Sequence, residues 1–259
     1  MTYLPRVAAA TEAEWPDLAV ELDRWEEAGR TARLWWRDDD AVAPTPQLDR
    51  LLQIAGGAPL ALAVIPQMAE PDLAERLAGE QHVAVLQHGW RHANHAATGK
   101  KSEYPAQRSG ADVVGELAAG RARLAALFGE RALPILVPPW NRFDEHFVPL
   151  LAAAGIAALS QMAPRKTALP AEIVTIDVHL DVVAWHEGRE FVGTGAALGR
   201  LIAELCTRRQ SDDETAIGVL THHLVMDGAT EGFMARLAGI VAAHPAARWA
   251  GAAEMLAPR

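Results

Sequence analysis

The sequence predicts an α/β fold built on a parallel sheet, with a closed barrel favoured over an open sheet. Short apolar runs alternate with helical patterns about seven or eight times along the 259 residues, a count and a length typical of barrels. No repeat, linker or low-complexity tract interrupts the alternation, so we expect one domain over 1–259. Polar clusters follow several predicted strands, and parallel α/β folds collect their functional groups at those strand ends.

The first half of the chain opens with a helix. Thr11 and Glu14 have the spacing of a capping box, which predicts a helix over 11–28 preceding the first strand. Thr45 and Pro46 are suited to an N-cap and to the first position of a second helix. Apolar runs and helical stripes predict the other elements, which are strands at 33–37, 59–65 and 83–88 and helices at 46–55, 71–78 and 111–128.

The second half keeps the same rhythm. A polar stretch, 177–181, is expected to be a loop between two weaker strands. The predicted strands lie at 133–137, 156–160, 173–176, 182–185 and 216–221, and the predicted helices at 144–154, 195–208 and 231–243, with a short helix at the C-terminus.

Composition excludes several classes of partner. The formal net charge is −9 and no cluster of Lys and Arg stands out, so a nucleic-acid partner is not expected. The single cysteine, Cys206, cannot form a disulfide within the chain. Met1–Ala10 lacks the basic start and apolar run of a signal peptide, and no apolar stretch approaches the roughly 20 residues of a membrane span. We therefore expect a cytoplasmic protein, whose oligomeric state the sequence does not indicate.

The stretch from Gln87 to His95 contains three histidines directly after a predicted buried strand. His88 and His92 are four residues apart with Gly89 between them, so the backbone can turn and direct both rings to one point. Neutral imidazole is a common zinc ligand, and a catalytic zinc site has three protein ligands and an open position. The alternative is a histidine-rich polar loop.

Three adjacent aspartates, Asp38, Asp39 and Asp40, end the first predicted strand. They repel one another, and Asp is a poor strand former. One explanation is a turn that leads into the helix at 46–55. The other is that one carboxylate binds a cation while its neighbour acts as a base. With His88 and His92, this makes an Asp-His-His set that suits Zn²⁺ and is compatible with Co²⁺, Mn²⁺, Ni²⁺ or Fe²⁺.

The order of these motifs resembles a known family. An acidic pair after the first strand, HxxxH after the third, a proline–aromatic turn after the fourth and Leu220-Thr221-His222 resemble the polysaccharide deacetylases, the NodB-homology group of carbohydrate esterases. The resemblance extends from about Leu34 to His223. It implies a distorted (β/α) barrel of about seven strands. It also implies a divalent metal, commonly zinc, that is held by one Asp and two His, and removal of N- or O-acetyl groups from sugars.

The acidic motif matches the family's Thr-Phe-Asp-Asp-Gly in two registers. In the favoured one, Asp39 is the base, Asp40 is a metal ligand with His88 and His92, and small Ala41 occupies the glycine position. In the other, Asp38 is the base and Asp39 the ligand.

The third motif departs from the family because its arginine is replaced by Val137. Arg37 and Arg142 are candidates to orient the base instead, and Arg142 is also a candidate substrate-binding residue. Trp140 is expected either to wall the sugar pocket and offer its backbone N–H to an oxyanion, or to be a core residue. Trp90 is a candidate to stack on a sugar ring.

The last motif supplies a candidate acid. By resemblance His222 protonates the leaving group, and the adjacent His223 is a rival for that role. Asp181 matches the fourth motif loosely, and the alternative is an ordinary loop carboxylate.

These residues predict a metal-dependent hydrolase that removes acetyl groups from an acetylated sugar or glycan precursor. The metal would activate water, Asp39 would take its proton and His222 would supply one. One alternative is a metal-dependent amidohydrolase that acts on a non-sugar amide. The other is a catalytically impaired carbohydrate-binding relative, which the altered third motif favours.

Overall fold

A single parallel sheet organises the protein. We describe it from a computed structural model that covers residues 12–164, 169–170, 173–186, 188–211 and 213–256. The nine strands of the main sheet are β1 (Ala32–Ala41), β2 (Leu60–Val64), β3 (Val83–His88), β4 (Ala132–Val137), β5 (Ala158–Leu159), β6 (Val174–Thr175), β7 (Leu180–Asp181), β10 (Ile217–Thr221) and β11 (Ala247–Trp249). A separate antiparallel hairpin consists of β8 (Val183–Ala184) and β9 (Glu190–Phe191).

The sheet runs in the order β6-β5-β4-β3-β2-β1-β10-β7, and β11 pairs with the start of β1. It curls into a half-barrel, so the expected distorted (β/α) barrel is confirmed, with more strands than the seven anticipated. An isolated parallel bridge between Met162 and Val178 lies between the segment after β5 and the segment before β7. Because every strand of the main sheet is parallel, the ends of β1, β3, β4 and β10 share one edge.

Within the ranges that the structure describes, six α-helices accompany the strands. They are α1 (Trp15–Glu27), α2 (Pro46–Ala55), α3 (Pro71–Arg76), α4 (Gly110–Phe128), α5 (Thr194–Arg209) and α6 (Gly228–Ala243). The Thr45 side chain caps α2 by accepting the N–H of Leu48 at 3.0 Å, as the sequence predicts. None of the helices in the described part of the chain is long and apolar enough to cross a membrane.

The two faces of β1 have different surroundings. Leu34 and Trp36 belong to a large apolar cluster that also contains the buried side chains of α1, α2, α5 and α6. Trp35 belongs to a second cluster, made mainly of side chains from neighbouring strands, which fills the inside of the half-barrel. Since successive residues of a strand point to opposite faces, Arg37 and Asp39 follow Trp35 to the inside.

Three predicted elements differ from the structure. The helix expected at 144–154 is instead two 3₁₀ segments, Glu145–Leu150 and Ala152–Ala154, because Pro149 has no N–H to donate to an α-helical ladder. The helix expected at 11–28 begins at Trp15, where Glu14 and Asp17 form the capping box; Thr11 lies outside the described residues.

The strand expected at 182–185 is also wrong in detail. Within the stretch predicted as a loop, Leu180–Asp181 joins the main sheet beside β10, and Val183–Ala184 belongs to the small hairpin. These two-residue strands are too short for periodicity to separate them.

Candidate metal and catalytic site

A bulge at the end of β1 places two neighbouring aspartates on the same side. The pairing of β1 with β2 shifts register between Asp38 and Ala41, and Asp40 has a left-handed backbone φ of 73°. Asp is among the few residues that adopt this conformation readily. Strict alternation would send Asp39 and Asp40 to opposite faces. The bulge instead turns Asp40 toward the strand-end edge next to Asp39.

Asp40 lies against the two predicted histidine ligands. Its Oδ1 is 3.1 Å from Nε2 of His88 and 3.4 Å from Nε2 of His92. Candidate ligand atoms of the three residues lie within 4.8 Å of one another. Asp40 and His92 are partly exposed and His88 is buried. The carboxylate and the two imidazoles predicted from distant segments therefore converge on one point at the mouth of the half-barrel.

The hydrogen bonding of His88 leaves its ligand atom available. Nδ1 lies 3.0 Å from the carbonyl oxygen of Val137, and because a carbonyl only accepts, Nδ1 carries the proton. When the ring is neutral, as a metal ligand, the lone pair of Nε2 is then directed to the point that Asp40 and His92 also face. This ring orientation is the one that metal-binding histidines usually have. The donor set thus fits a divalent ion with open positions.

Burial and neighbouring charges shift the pKa values of Asp40 and His92. Burial alone would raise the pKa of Asp40, but the hydrogen bond with His88 and the positive charges of His88, His222 and His92 lower it far below its ordinary value. Burial and the charge of His88 lower the pKa of His92. Asp40 is therefore ionised and His92 favours its neutral form, as a metal ligand requires.

A buried carboxylate holds the turn between the two histidines. Glu103 has no exposed surface, and its oxygens accept the backbone N–H groups of Arg91 at 2.9 Å and Trp90 at 3.2 Å, with Ala93 at 3.5 Å. Burial raises the pKa of Glu103, while these N–H groups and the charge of His88 lower it and only partly offset the burial. Gly89 has a φ of 60°, and a Cβ there would lie 2.0 Å from Oε2 of Glu103.

Arg37 lies under the candidate base. Its Nε is 2.8 Å from Oδ1 of Asp39, and its Nη2 donates to Oδ2 at 2.9 Å. The remaining guanidinium hydrogens reach across the half-barrel to Oγ of Ser160 and Oδ1 of Asn141, each at 2.8 Å. Arg37 is fully buried and Asp39 nearly so. The guanidinium thus fixes Asp39 with both its charge and its planar geometry.

His222 lies on the other side of Asp39. Its Nε2 is 4.0 Å from Oδ2 of Asp39, and its ring meets the edge of Trp185 with 4.6 Å between centroids. The Trp185 indole N–H donates to Asp181 at 2.8 Å. Burial raises the pKa of Asp181, while the charge of His222 and the hydrogen bonds from Val183 and Trp185 oppose the rise. These residues from β10 and the β7–β8 segment complete the rim.

Several solved structures with the same arrangement of strands and helices are deacetylases and esterases, and a 4-α-glucanotransferase from Thermococcus litoralis also matches, with a TM-score of 0.56 and 12% identity over 89% of this chain and 41% of that one. A protein from Mycobacterium smegmatis assigned to the polysaccharide deacetylases has a TM-score of 0.66 and 19% identity, over 96% of this chain and 93% of that one. A family 4 carbohydrate esterase from Streptomyces lividans, in complex with acetate, has a TM-score of 0.52 and 14% identity over 82% and 88%. The fold is that of the polysaccharide deacetylases.

A third similar structure contains a bound metal ion. The family 4 acetyl xylan esterase from Clostridium thermocellum, in complex with a cobalt ion, has a TM-score of 0.53 and 11% identity, over 86% of this chain and 89% of that one. No protein-family model matches the sequence, and a search of curated proteins finds no match. The resemblance predicted from the motifs is thus confirmed at the level of the deacetylase fold.

Asp38 and His223 lie away from the cluster. Oδ1 of Asp38 is 2.5 Å from Nδ1 of His223 and its Oδ2 accepts the Thr221 hydroxyl at 2.6 Å, all of them buried. Burial lowers the pKa of His223, but the charge and hydrogen bond of Asp38 raise it further than burial lowers it. This geometry disfavours the register in which Asp38 is the base, and it occupies His223 with a structural pair on the face opposite Asp39.

The predicted substrate-binding residues have different positions. Trp140 has a φ of 57° and its ring lies 4.4 Å from that of His92, so it walls the cluster. Arg142 instead points to the rim, where Nη1 donates to the carbonyl of Lys101 at 2.8 Å. Trp90 is half-buried in the turn held by Glu103, and its carbonyl accepts the N–H of Gln67.

Sequence reasoning assigned no function to Glu103, Ser160 or Asn141. Asn141 belongs to the proline–aromatic turn, so its position after β4 was a usable signal. Ser160 lies 123 residues from Arg37, Glu103 lies 10 to 13 residues from the N–H groups that it accepts, and no local pattern marks either residue. A second group, Asp23, Glu26 and His244, has metal-ligand types but is largely exposed.

Proposed function

We propose that this protein is a metal-dependent hydrolase that removes an acetyl group from an acetylated sugar or glycan precursor. The convergence of Asp40, His88 and His92 beside an arginine-held carboxylate, Asp39, carries the proposal. The deacetylase fold supports it.

The proposed metal ligands are Asp40, His88 and His92, with Zn²⁺ the first candidate and Co²⁺, Mn²⁺, Ni²⁺ or Fe²⁺ alternatives. A divalent ion bound there would supply Lewis-acid polarisation of the acetyl carbonyl and lower the pKa of the attacking water. The Val137 carbonyl holds the His88 ring, and Trp140 packs on His92, so the two imidazoles are oriented before any ion arrives.

We assign Asp39 as the general base. It is buried and adjacent to the ligand Asp40, and Arg37 fixes both of its oxygens from below. The arginine that the family carries in its third motif is Val137 here, and Arg37 takes its place from within β1. In this assignment Asp39 removes the proton from water as the water attacks the acetyl carbon.

We assign His222 as the general acid. Its Nε2 lies close enough to Asp39 for both to face one reacting centre, and Trp185 buttresses its ring. His222 would protonate the departing sugar nitrogen or oxygen. The backbone N–H of Trp140, whose indole ring lies 4.4 Å from the ring of His92, is the proposed donor to the oxyanion, a contact of a type worth about 3–4 kcal/mol in other enzymes.

The experiment is acetate release from a panel of N- and O-acetylated sugars, together with metal analysis of the purified protein. We expect His88→Ala to lose metal, and His222→Ala and Asp39→Asn to keep metal while turnover falls by about 10²-fold or more. His244→Ala is the matched control. Loss of metal from His222→Ala with retention in His88→Ala would contradict the assignment.

The same panel separates the alternatives. Bound metal without acetate release from any sugar would favour an amidohydrolase that acts on a non-sugar amide. Absence of bound metal would favour a carbohydrate-binding relative without catalysis. The loss of the arginine from the third motif is the feature that favoured an impaired protein. The Arg37–Asp39 ion pair supplies an arginine to the candidate base in another way, and it therefore argues for catalysis.

A further inference from the structure

The loop over 91–108 beside the candidate site is basic although the chain is acidic. Its cations are Arg91, Lys100, Lys101 and Arg108, against Glu103 as its one carboxylate, whereas the whole chain has a formal net charge of −9. Glu103 is fully buried and binds backbone N–H groups. It therefore pairs with none of the side-chain cations of the loop.

Most of these cations are unpaired. Arg108 forms an ion pair with Glu116 at 2.6 Å. Arg91, Lys100 and Lys101 are exposed, and none of them forms an ion pair with any residue that the structure describes. Arg142 in the adjoining turn is partly exposed and likewise forms no ion pair with a residue that the structure describes. Unpaired cations beside a cleft attract anions, and more so when the remainder of the protein is negative.

Two of the cations are held next to the proposed metal ligands. Nζ of Lys101 lies 5.9 Å from the ring centre of Trp140, and that ring lies 4.4 Å from His92. Arg142 donates to the backbone carbonyl of Lys101 at 2.8 Å, which ties the two cations together. Lys101 and Arg142 thus lie within reach of a substituent on a sugar whose acetyl group is at the metal site.

A cavity of about 560 Å³ lies beneath the loop, with Arg142 in its wall. Asn141, whose side chain binds Arg37, lines it together with Lys100 and Arg142, and most of the other lining side chains that carry polar groups are uncharged. Two carboxylates also line it, and Asp144 is engaged by His146 at 2.6 Å. Asp144 and Glu145 therefore oppose Lys100 and Arg142 within the cavity, and the excess of positive charge lies on the loop itself.

We propose that Lys101 and Arg142 bind a phosphate group of the substrate, which makes the substrate a phosphorylated acetyl sugar. The inference rests on the proposed deacetylase function. A lysine ammonium and an arginine guanidinium are the two side chains best suited to phosphate oxygens. The phosphate belongs either to a soluble sugar phosphate or to a sugar linked through phosphate to a lipid.

The test compares kcat/KM for acetate release from N-acetylglucosamine and from N-acetylglucosamine 1-phosphate. We expect about a tenfold or greater preference for the phosphate, from one or two charge-assisted hydrogen bonds. The preference should shrink toward one in the Lys101→Gln/Arg142→Gln double variant and as ionic strength rises. Arg248→Gln, at the opposite end of β1, is the matched control and should keep it.

Additional substrates show whether the phosphate belongs to a soluble sugar or to a lipid-linked one, and whether the site prefers phosphate to carboxylate. A higher kcat/KM for the short-chain prenyl ester of N-acetylglucosamine 1-phosphate than for N-acetylglucosamine 1-phosphate itself would assign a lipid-linked substrate. The reverse order would assign a soluble sugar phosphate. Equal rates for neutral and phosphorylated sugars, a preference that survives the double variant, or a stronger preference for the carboxylate of N-acetylmuramic acid would overturn the proposal.

Failure of the proposed function gives a different result. If no sugar releases acetate, calorimetric titration with N-acetylglucosamine 1-phosphate still decides the inference. Binding that weakens about tenfold in the double variant but not in Arg248→Gln supports it. Absence of binding, or binding that is equal in all three proteins, overturns it.

Discussion

The turn between the two proposed histidine ligands depends on one buried carboxylate, and replacing it tests how the site is built. Glu103→Gln preserves the shape and one acceptor oxygen of the side chain. It removes the negative charge and presents an amide N–H₂ group to backbone N–H donors. We expect the turn that carries His92 to lose its preferred conformation while the rest of the fold persists.

The magnitude follows from the contacts. Two N–H groups bind Glu103 at 2.9 and 3.2 Å in a fully buried setting. Hydrogen bonds to charged groups contribute about 1.5–3 kcal/mol each, and Gln can replace only one. About 1.5–3 kcal/mol is therefore lost from the ordered turn. Because binding would have to reorder the turn, the Kd for Zn²⁺ should rise about 10- to 100-fold, the range seen for residues that orient metal ligands.

Competition with a chromophoric chelator measures the Kd, and the visible spectrum of the Co²⁺ form reports the ligand geometry. Glu116→Gln is the matched control, since it breaks the ion pair with Arg108 and leaves the turn intact. A Kd for Glu103→Gln within about twofold of the unmodified protein, or an equal rise in Glu116→Gln, would refute the reasoning, because the effect would then not arise from the turn.

Three further predictions concern the base, the turn and a buried histidine. Arg37→Lys should keep bound metal but lower kcat about 100-fold, because an ammonium cannot hold both oxygens of Asp39; unchanged kcat would contradict this. Gly89→Ala should lose metal and lower the Tm, because its Cβ would lie 2.0 Å from a glutamate oxygen at a φ of 60°; the Tm by calorimetry checks it, and an unchanged Tm would show that the turn yields. Burial and the charge of a neighbouring arginine lower the pKa of His179 from 6.5 to about 4. Its neutral form then contributes stability that is full above about pH 6.5 and is lost as pH falls toward 4, about 3 kcal/mol in all. Denaturant titration across that range should show a shallower loss for His179→Asn, whose amide oxygen can still accept the N–H of Gly218. An identical pH profile would contradict it.

The fold was predictable because its signals are periodic. Buried parallel strands are short apolar runs, and each of the strong ones was expected within a few residues of its observed bounds. The helix expected at 144–154 was wrong because the apolar spacing outweighed Pro149, which cannot donate to the ladder. The short strands near 180 escaped because two residues carry no period.

Part of the candidate site could likewise be predicted from the sequence, and part of it could not. His88, His92 and Asp40 were expected together because parallel strands end at one edge, and their convergence needs only the strand order. The choice among the three aspartates needed the bulge, whose left-handed Asp40 has no unambiguous sequence signal. Arg37 and Asp39 are two residues apart on one strand and share a face, so alternation could have decided between Arg37 and Arg142, which both stood as candidates to orient the base.

Glu103 lay beyond sequence reasoning. It contacts the histidine turn from the returning limb of the same loop, and no local sequence pattern marks it as buried. Its role in holding the turn becomes visible only from the positions of the backbone N–H groups that donate to it.

Anomalous diffraction from a crystal grown with zinc or cobalt tests the central claim most directly. We predict one strong peak bonded to a carboxylate oxygen of Asp40 and to Nε2 of His88 and His92, at distances of about 2.0–2.2 Å. A peak at Asp23, Glu26 and His244 with none at Asp40 would contradict the account.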